Sequence, residues 1–216
     1  MPETYKEQVE LDIKRTFIDN EIFTADEQLK TKTLNILLAY SKRNTSVGYC
    51  QGMNYIGGIL ARVIKNEEDS FWALTCLFES VLPLDYYCLM TEILVDQKVF
   101  IQLFKKKKSK LYQHLKNNDV DIGLVWFPWF VCLLTENLNP LICETVYDFL
   151  FLEGNVAIFR AMFAIFNILE PYILKNEEFS EIYKIFEVEI KELITEPEIF
   201  IKQMSKFSSL KIKFIK

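Results

Sequence analysis

The chain has 216 residues, of which half are hydrophobic, and its 30 acidic and 25 basic side chains leave a net charge of −5. Its mean hydropathy is +0.09. This composition suits a single domain with one substantial core and excludes a disordered chain. The acidic balance argues against a nucleic-acid binder, whose affinity rests on neutralising phosphates.

Val9, Asp12, Ile13, Thr16 and Phe17 recur on one helical face, which predicts a first helix from about Glu3 to Phe17. Thr24-Ala25-Asp26-Glu27 has the capping-box pattern and opens a second helix, with Leu34, Leu37, Leu38 and Ser41 as its inner stripe and its end near Asn44. After Gly52 the apolar residues Met53, Ile56, Ile59, Leu60 and Val63 predict a third. Asn66, followed by three acids, caps a helix expected to bury Phe71, Trp72, Leu74, Leu77 and Phe78 and to stop at Pro83. Leu89 to Leu103 reads as a helix, and the basic run Lys105 to Lys108 as its solvated end. Within Val120–Leu134 the aromatic block around Pro128 is expected in the core, with a helix starting at Trp129. Asn139-Pro140 opens a helix that Gly154 ends, and Val156 to Leu174, apolar nearly all round, marks the centre of the core. Asn176 and then Glu196-Pro197 start the last helices, and the tail from Leu210 is expected to be disordered. The reading is all-α, with one domain over residues 1–204 and a tail over 205–216.

Two short patterns carry chemistry. Gln51 stands between Gly48 and Gly52, in Gly48-Tyr49-Cys50-Gln51-Gly52-Met53-Asn54, at the start of a helix. An amide that can both donate and accept, with no Cβ crowding it, can hold a water or a phosphate oxygen. Asp12 lies three residues before Arg15, close enough to direct the guanidinium across one turn. Alone, the first pattern reads more readily as an ordinary turn or a tight helix crossing. The second reads as a surface ion pair worth under ~1 kcal/mol.

Other chemistries find little support. The five cysteines are odd in number and form no C-x-x-C pair, as expected of free thiols in a reducing compartment. The one histidine, His114, is expected to be a solvated helix residue. No zinc site or Ser-His-Asp triad suggests itself, and no metal is expected. The polar N-terminus lacks a signal-peptide core. The apolar run Ile122–Leu134 is too short to span a bilayer, and Arg160 interrupts Val156–Leu169, so a soluble, cytoplasmic protein is expected.

Taken together, these residues resemble the TBC domain family, helical activators of Rab-type small GTPases. Val9-x-x-Asp12-x-x-Arg15-Thr16 resembles the family's Ile-x-x-Asp-x-x-Arg-Thr motif, and Tyr49-Cys50-Gln51-Gly52 its Tyr-x-Gln-Gly motif. Glu68 to Trp72, Phe127 to Phe130 and Tyr147 to Gly154 are similar to three further blocks, in order, so the likeness runs from Val9 to about Leu174. Tyr147 stands where the family usually has Trp. Only eight residues precede Val9, where members carry several helices, so an irregular multi-helix domain with an abbreviated or truncated N-terminal lobe is expected.

The resemblance implies a GTPase-activating protein in vesicle trafficking that supplies catalytic residues in trans and carries out no self-contained reaction. Arg15 would be the arginine finger and Gln51 the glutamine finger. Asp12 would orient Arg15, Thr16 and Tyr49 would support the two segments, and Gly52 would admit the partner's switch region, with Asn54 completing the motif. GTP and Mg²⁺ would be held by the partner and no cofactor by this chain, in keeping with the absence of a G-x-x-x-x-G-K-[ST] loop. The membrane would be met only through the partner, at endomembranes. The competing reading is a helical module that binds a small GTPase or another protein without stimulating it.

Overall fold

The computed structural model describes residues 3–18, 26–83 and 85–210, the side chains of residues 3, 4, 17 and 18 excepted. Helices joined by turns and short irregular segments make up the described residues, with no strand among them. They fall into two compact units, residues 1–93 and 94–216.

In the first unit α1 spans Glu3–Ile18, α2 Glu27–Arg43, α3 Met53–Val63 and α4 Glu67–Cys76, which runs on into a wide π-helical turn over Leu77–Val81. The cap of α2 is Asp26, whose carboxylate accepts from the N–H groups of Gln28 and Leu29. The expected cap, Thr24, lies outside the described residues. α2 buries Leu29, Thr33, Ile36, Leu37, Tyr40 and Ser41 and packs against α1, α3 and α4. Lys32 ties α2 to the far end of α3. Its ammonium donates to the carbonyls of Ala61 (2.8 Å), Ile64 and Lys65 (3.0 Å), one for each N–H. Asn66 caps α4 as expected, its side chain accepting from Asp69 N at 3.0 Å. Trp72 is not in the core. It is 49% exposed, with the Arg43 guanidinium 5.2 Å over its ring and Glu68 on its indole N–H. Leu74, Leu77 and Phe78 fill the inner face instead.

The second unit holds most of α5 (Thr91–Lys107), then α6 (Ser109–Asn117), α7 (Ile122–Val131), α8 (Pro140–Glu153), α9 (Val156–Ile173), α10 (Phe179–Lys184), α11 (Ile190–Leu193) and α12 (Pro197–Ser205). Residues Ile185–Glu189 form a second π-helical turn between α10 and α11. α9 is long and apolar enough to cross a membrane, and among the described residues it is the one such helix. Here it is packed inside the unit, against α8 and α12. Rings from three helices meet there. Phe100 and Phe104 of α5, Trp126 and Phe130 of α7, and Phe159, Phe163 and Phe166 of α9 are fully buried. Many contact one another edge-on, as in Phe104–Phe166 at 4.6 Å and Phe100–Trp126 at 4.9 Å, and such pairs add about 0.5–1.5 kcal/mol each beyond their buried area.

Three sequence expectations change in this unit. Pro128 lies inside α7 rather than ahead of a helix at Trp129. The carbonyl it leaves without a donor is that of Leu124, which at 75% exposure can turn to water. His114 is half-buried, and its Nε2–H points at the carbonyls of Ile173 (3.1 Å) and Asn176 (2.8 Å), closing the end of α9. Asn176 also faces backwards, donating to Tyr172 O at 3.0 Å, and Glu178 takes the cap position of α10 without a side-chain bond. Past α12, Phe207 stacks on Phe163 at 4.7 Å, and Arg160 holds the carbonyl of Ser208 at 2.8 Å. Residues 211–216, the rest of the expected disordered tail, lie outside the described residues.

Candidate functional site

The site is built on a stripe of α1. Tyr5, Val9, Asp12, Ile13 and Thr16 follow the helical period, and from Val9 to Thr16 the stripe is buried, Val9 completely. Arg15 falls between stripe positions and is exposed, in the last turn of α1. Thr16 turns its hydroxyl back to donate to Asp12 O at 2.7 Å, leaving the oxygen's lone pairs for another donor.

The segment between α2 and α3 supplies that donor. Asn44 ends α2 and folds the chain round, its carbonyl accepting from Gly48 N at 2.8 Å and its side chain from Val47 N at 3.3 Å. Burial, with Glu79 adding to it, pushes the Tyr40 hydroxyl up to about 12. The hydroxyl therefore stays protonated and accepts from Asn44 Nδ2 at 3.3 Å. Gly48 has φ +64, and a Cβ there would sit 2.8 Å from the hydroxyl oxygen of Tyr5. No larger residue fits this close pass of loop over α1. Gly52, at φ 105, then turns the chain into α3.

Asn54, in the first turn of α3, joins the two segments. Its amide nitrogen donates to Thr16 Oγ1 at 2.5 Å, and its oxygen accepts from Gly52 N at 2.8 Å. The Tyr49 hydroxyl donates to Asp12 Oδ2 at 2.9 Å and lies 3.3 Å from Asn54 Oδ1. Asp12, Thr16, Tyr49 and Asn54 thus form one closed, buried set of hydrogen bonds between the end of α1 and the start of α3. Low local dielectric strengthens such a set and makes any broken member costly. Gly52 is buried beside it, while Gln51 is exposed.

Arg15 adjoins Thr16 and Gln51 adjoins Gly52, so both exposed side chains spring from backbone that this one cluster fixes. Among the described residues neither side chain makes a hydrogen bond or ion pair within the protein. The expected Asp12–Arg15 ion pair is not among the contacts, since the Asp12 carboxylate points inward to Tyr49. Cys50 completes the loop. Its thiol donates to Gln51 O at 3.2 Å, and burial, with the Asp12 charge adding to it, pushes the thiol up to about 11. Tyr5, which seats Gly48, was missed in the sequence, although its place one helical turn before Val9 is a signal that could have found it. The pairing of Thr16 with Asn54 across 38 positions has no local signal.

A guanidinium and a carboxamide, both exposed and without a side-chain partner among the described residues, thus stand on backbone held by one buried polar cluster. No group of three or more metal-ligating side chains occurs among the described residues. The Rab-GTPase-TBC domain model matches residues 1–174, and the chain belongs to that family. It is 38% identical over 179 residues to the human TBC1 domain family member 2A, a match that covers 82% of this chain and 19% of that protein. It is 36% identical over 200 residues to the Xenopus laevis growth hormone-regulated TBC protein 1, covering 91% of this chain and 58% of the relative. The chain therefore spans about a fifth of the first and somewhat over half of the second. Among solved structures, a Chlamydomonas flagellar RabGAP TBC domain superposes with a TM-score of 0.82 at 26% identity, over 94% of this chain and 67% of that one. The Ypt/Rab-GAP domain of Gyp1p, at 20% identity and a TM-score of 0.76, shares the fold.

Proposed function

We propose that this chain stimulates GTP hydrolysis by a Rab-type GTPase, with Arg15 as the arginine finger and Gln51 as the glutamine finger. The observation that carries the reading is the bonded set Asp12–Tyr49–Asn54–Thr16, which anchors both segments while leaving both functional side chains exposed. A GTPase alone is slow because charge building on the transferred phosphoryl oxygens is poorly compensated and the attacking water is loosely held. An arginine inserted from outside supplies charge-assisted hydrogen bonds to those oxygens, typically worth about 10³–10⁵ in rate. The carboxamide of Gln51 accepts from the water and donates to a neighbouring acceptor, fixing its line of attack. GTP and Mg²⁺ belong to the partner. Its site of action would be the cytoplasm, at the face of an endomembrane in vesicle traffic.

Single-turnover GTP hydrolysis across a panel of Rab proteins tests the reading. At least one should be accelerated, and Arg15→Ala should remove about 10³-fold or more of that acceleration with no change in thermal stability. Arg15→Lys should do nearly as much damage, because an ammonium lacks the planar fork. Gln51→Ala should lose most of the rest. Full acceleration by both variants would sink the assignment. The competing reading, binding without stimulation, draws on the lack, among the described residues, of a contact that aims Arg15. It requires a Rab that binds while its hydrolysis rate stays at the intrinsic value.

A further inference from the structure

The basic run at the end of α5 belongs to a longer acid-free stretch. From residue 97 to 118 the chain carries Lys98, Lys105, Lys106, Lys107, Lys108, Lys110 and Lys116 and no aspartate or glutamate. Seven positive charges in a protein of net charge −5 leave the remaining residues at −12. One of the seven is neutralised, Lys108, which bonds Glu170 of α9 at 2.6 Å. The other six are exposed. The inner faces of the two helices fix their outward direction. Phe100 and Phe104 of α5 and Leu111 and Leu115 of α6 are fully buried, so Lys98 and Lys105, two turns apart, stand on the outer side of α5. The Lys105 ammonium lies 5.0 Å over the ring of Tyr112, which joins the basic end of α5 to α6. The acids nearest in sequence, Asp96 and Asp119, flank the stretch at either end, and Asp96 is buried against Asn155.

We propose that this face of α5 and α6 docks the protein directly on an anionic phospholipid surface. The stretch contains no arginine, so it lacks the planar fork that grips a single phosphate in nucleic acid or a phosphopeptide. Lysine is a mobile point charge on a long stem, suited to the diffuse negative potential of a fluid leaflet. None of the exposed large hydrophobic residues lies between 97 and 118, so attraction here is electrostatic, without insertion. The surplus of −12 elsewhere is repelled by the same leaflet, and this sets the orientation. The contact goes beyond the Rab reading, and does not depend on it. It would replace the expectation that a membrane is met only through the partner.

Flotation with phosphatidylserine-containing vesicles, against pure phosphatidylcholine vesicles, tests the proposal. The protein should float with the anionic vesicles alone, and be released when salt is raised from ~0.15 M to ~1 M, where the screening length falls from about 8 Å to about 3 Å. Each lysine removed should weaken partitioning about fivefold, so K105Q/K106Q/K107Q/K110Q should weaken it more than about a hundredfold. The matched variant K65Q/K175Q/K202Q/K206Q, which removes as many charges elsewhere, should float like the parent. If the first variant misfolds by circular dichroism, K106Q and K107Q singly carry the fivefold test. No flotation, equal loss in the matched variant, or flotation that survives ~1 M salt would each overturn the proposal. Binding to RNA or polyglutamate in place of vesicles would also overturn it.

Discussion

One part of the interior of residues 1–93 and one part of that of 94–216 are settled by different means. Around Asn54 the first unit buries four polar side chains that satisfy one another, at distances of 2.5 to 3.3 Å and in fixed directions. Around Phe166 the second unit buries rings, which attract at many angles and tolerate small displacements. Hydrogen-bonded interiors fix where an atom points, whereas ring-packed interiors chiefly fill volume. The residues proposed to act on a partner sit on the directional interior, where an ångström of drift matters most.

The largest stability effect should come from the second unit. Phe166→Ala opens a cavity among Phe104, Trp126, Trp129 and Phe186 and should cost about 3–5 kcal/mol in chemical denaturation. Acceleration per folded molecule should be unchanged; if it collapses as well, the contrast drawn here is wrong. Tyr49→Phe is the complementary case. It removes the Tyr49 hydroxyl's hydrogen bond to the buried Asp12 carboxylate and should cost about 1.5–3 kcal/mol. It should also lower Rab acceleration by up to about 10²-fold, because the anchor of both fingers loosens. A fall in stability with catalysis intact would show that the cluster holds the fold but not the fingers.

Helix caps should not distinguish the units. Asn66→Ala in the first and Asp121→Ala in the second each remove a side-chain acceptor from a helix start and should each cost about 1 kcal/mol by thermal melting. Unequal losses would place the difference between the units in their helices rather than in their interiors. Cys50 gives the smallest effect. With its thiol pushed up to about 11, it stays protonated at pH 8. Alkylation there, followed by mass spectrometry, should be slower than that of an unstructured cysteine peptide and should rise steeply only above pH ~10. The linkage has the same sign. An unfolded thiol ionises near pH ~8.5 while the folded one does not, so this group's contribution to stability is complete below that pH and is lost as pH climbs towards 11.

Most helices were legible because their inner faces repeat at the helical period and their ends carry Asn, Asp, Pro or Gly. Asn66, Asn139-Pro140 and Gly154 act where the local pattern put them. Two of the readings that changed, Trp72 and His114, involve partners distant in sequence. Trp72 looks like core on its own helix, and only Arg43, folded over it from α2, makes its exposure tenable. His114 sits among polar neighbours, yet the end of α9 lies 59 positions away and needs its proton. At the site the motif residues were visible as types and spacings, including Tyr49 and Asn54. What spacing could not give was the direction of Asp12, which looked outward to Arg15 in sequence and looks inward to Tyr49 in the fold.

The lysine at position 32 carries a further consequence. An ammonium seated on three carbonyls does the work of a bound monovalent cation, delivered by the chain itself, and burial pulls its proton affinity down. Two of those carbonyls, Ile64 and Lys65, belong to the short joint ahead of α4. Adding or deleting a single residue there would slide the joint off its cation. Exposed side chains such as Val63 and Lys65 can therefore drift through descent, while the number of links between the two helices cannot.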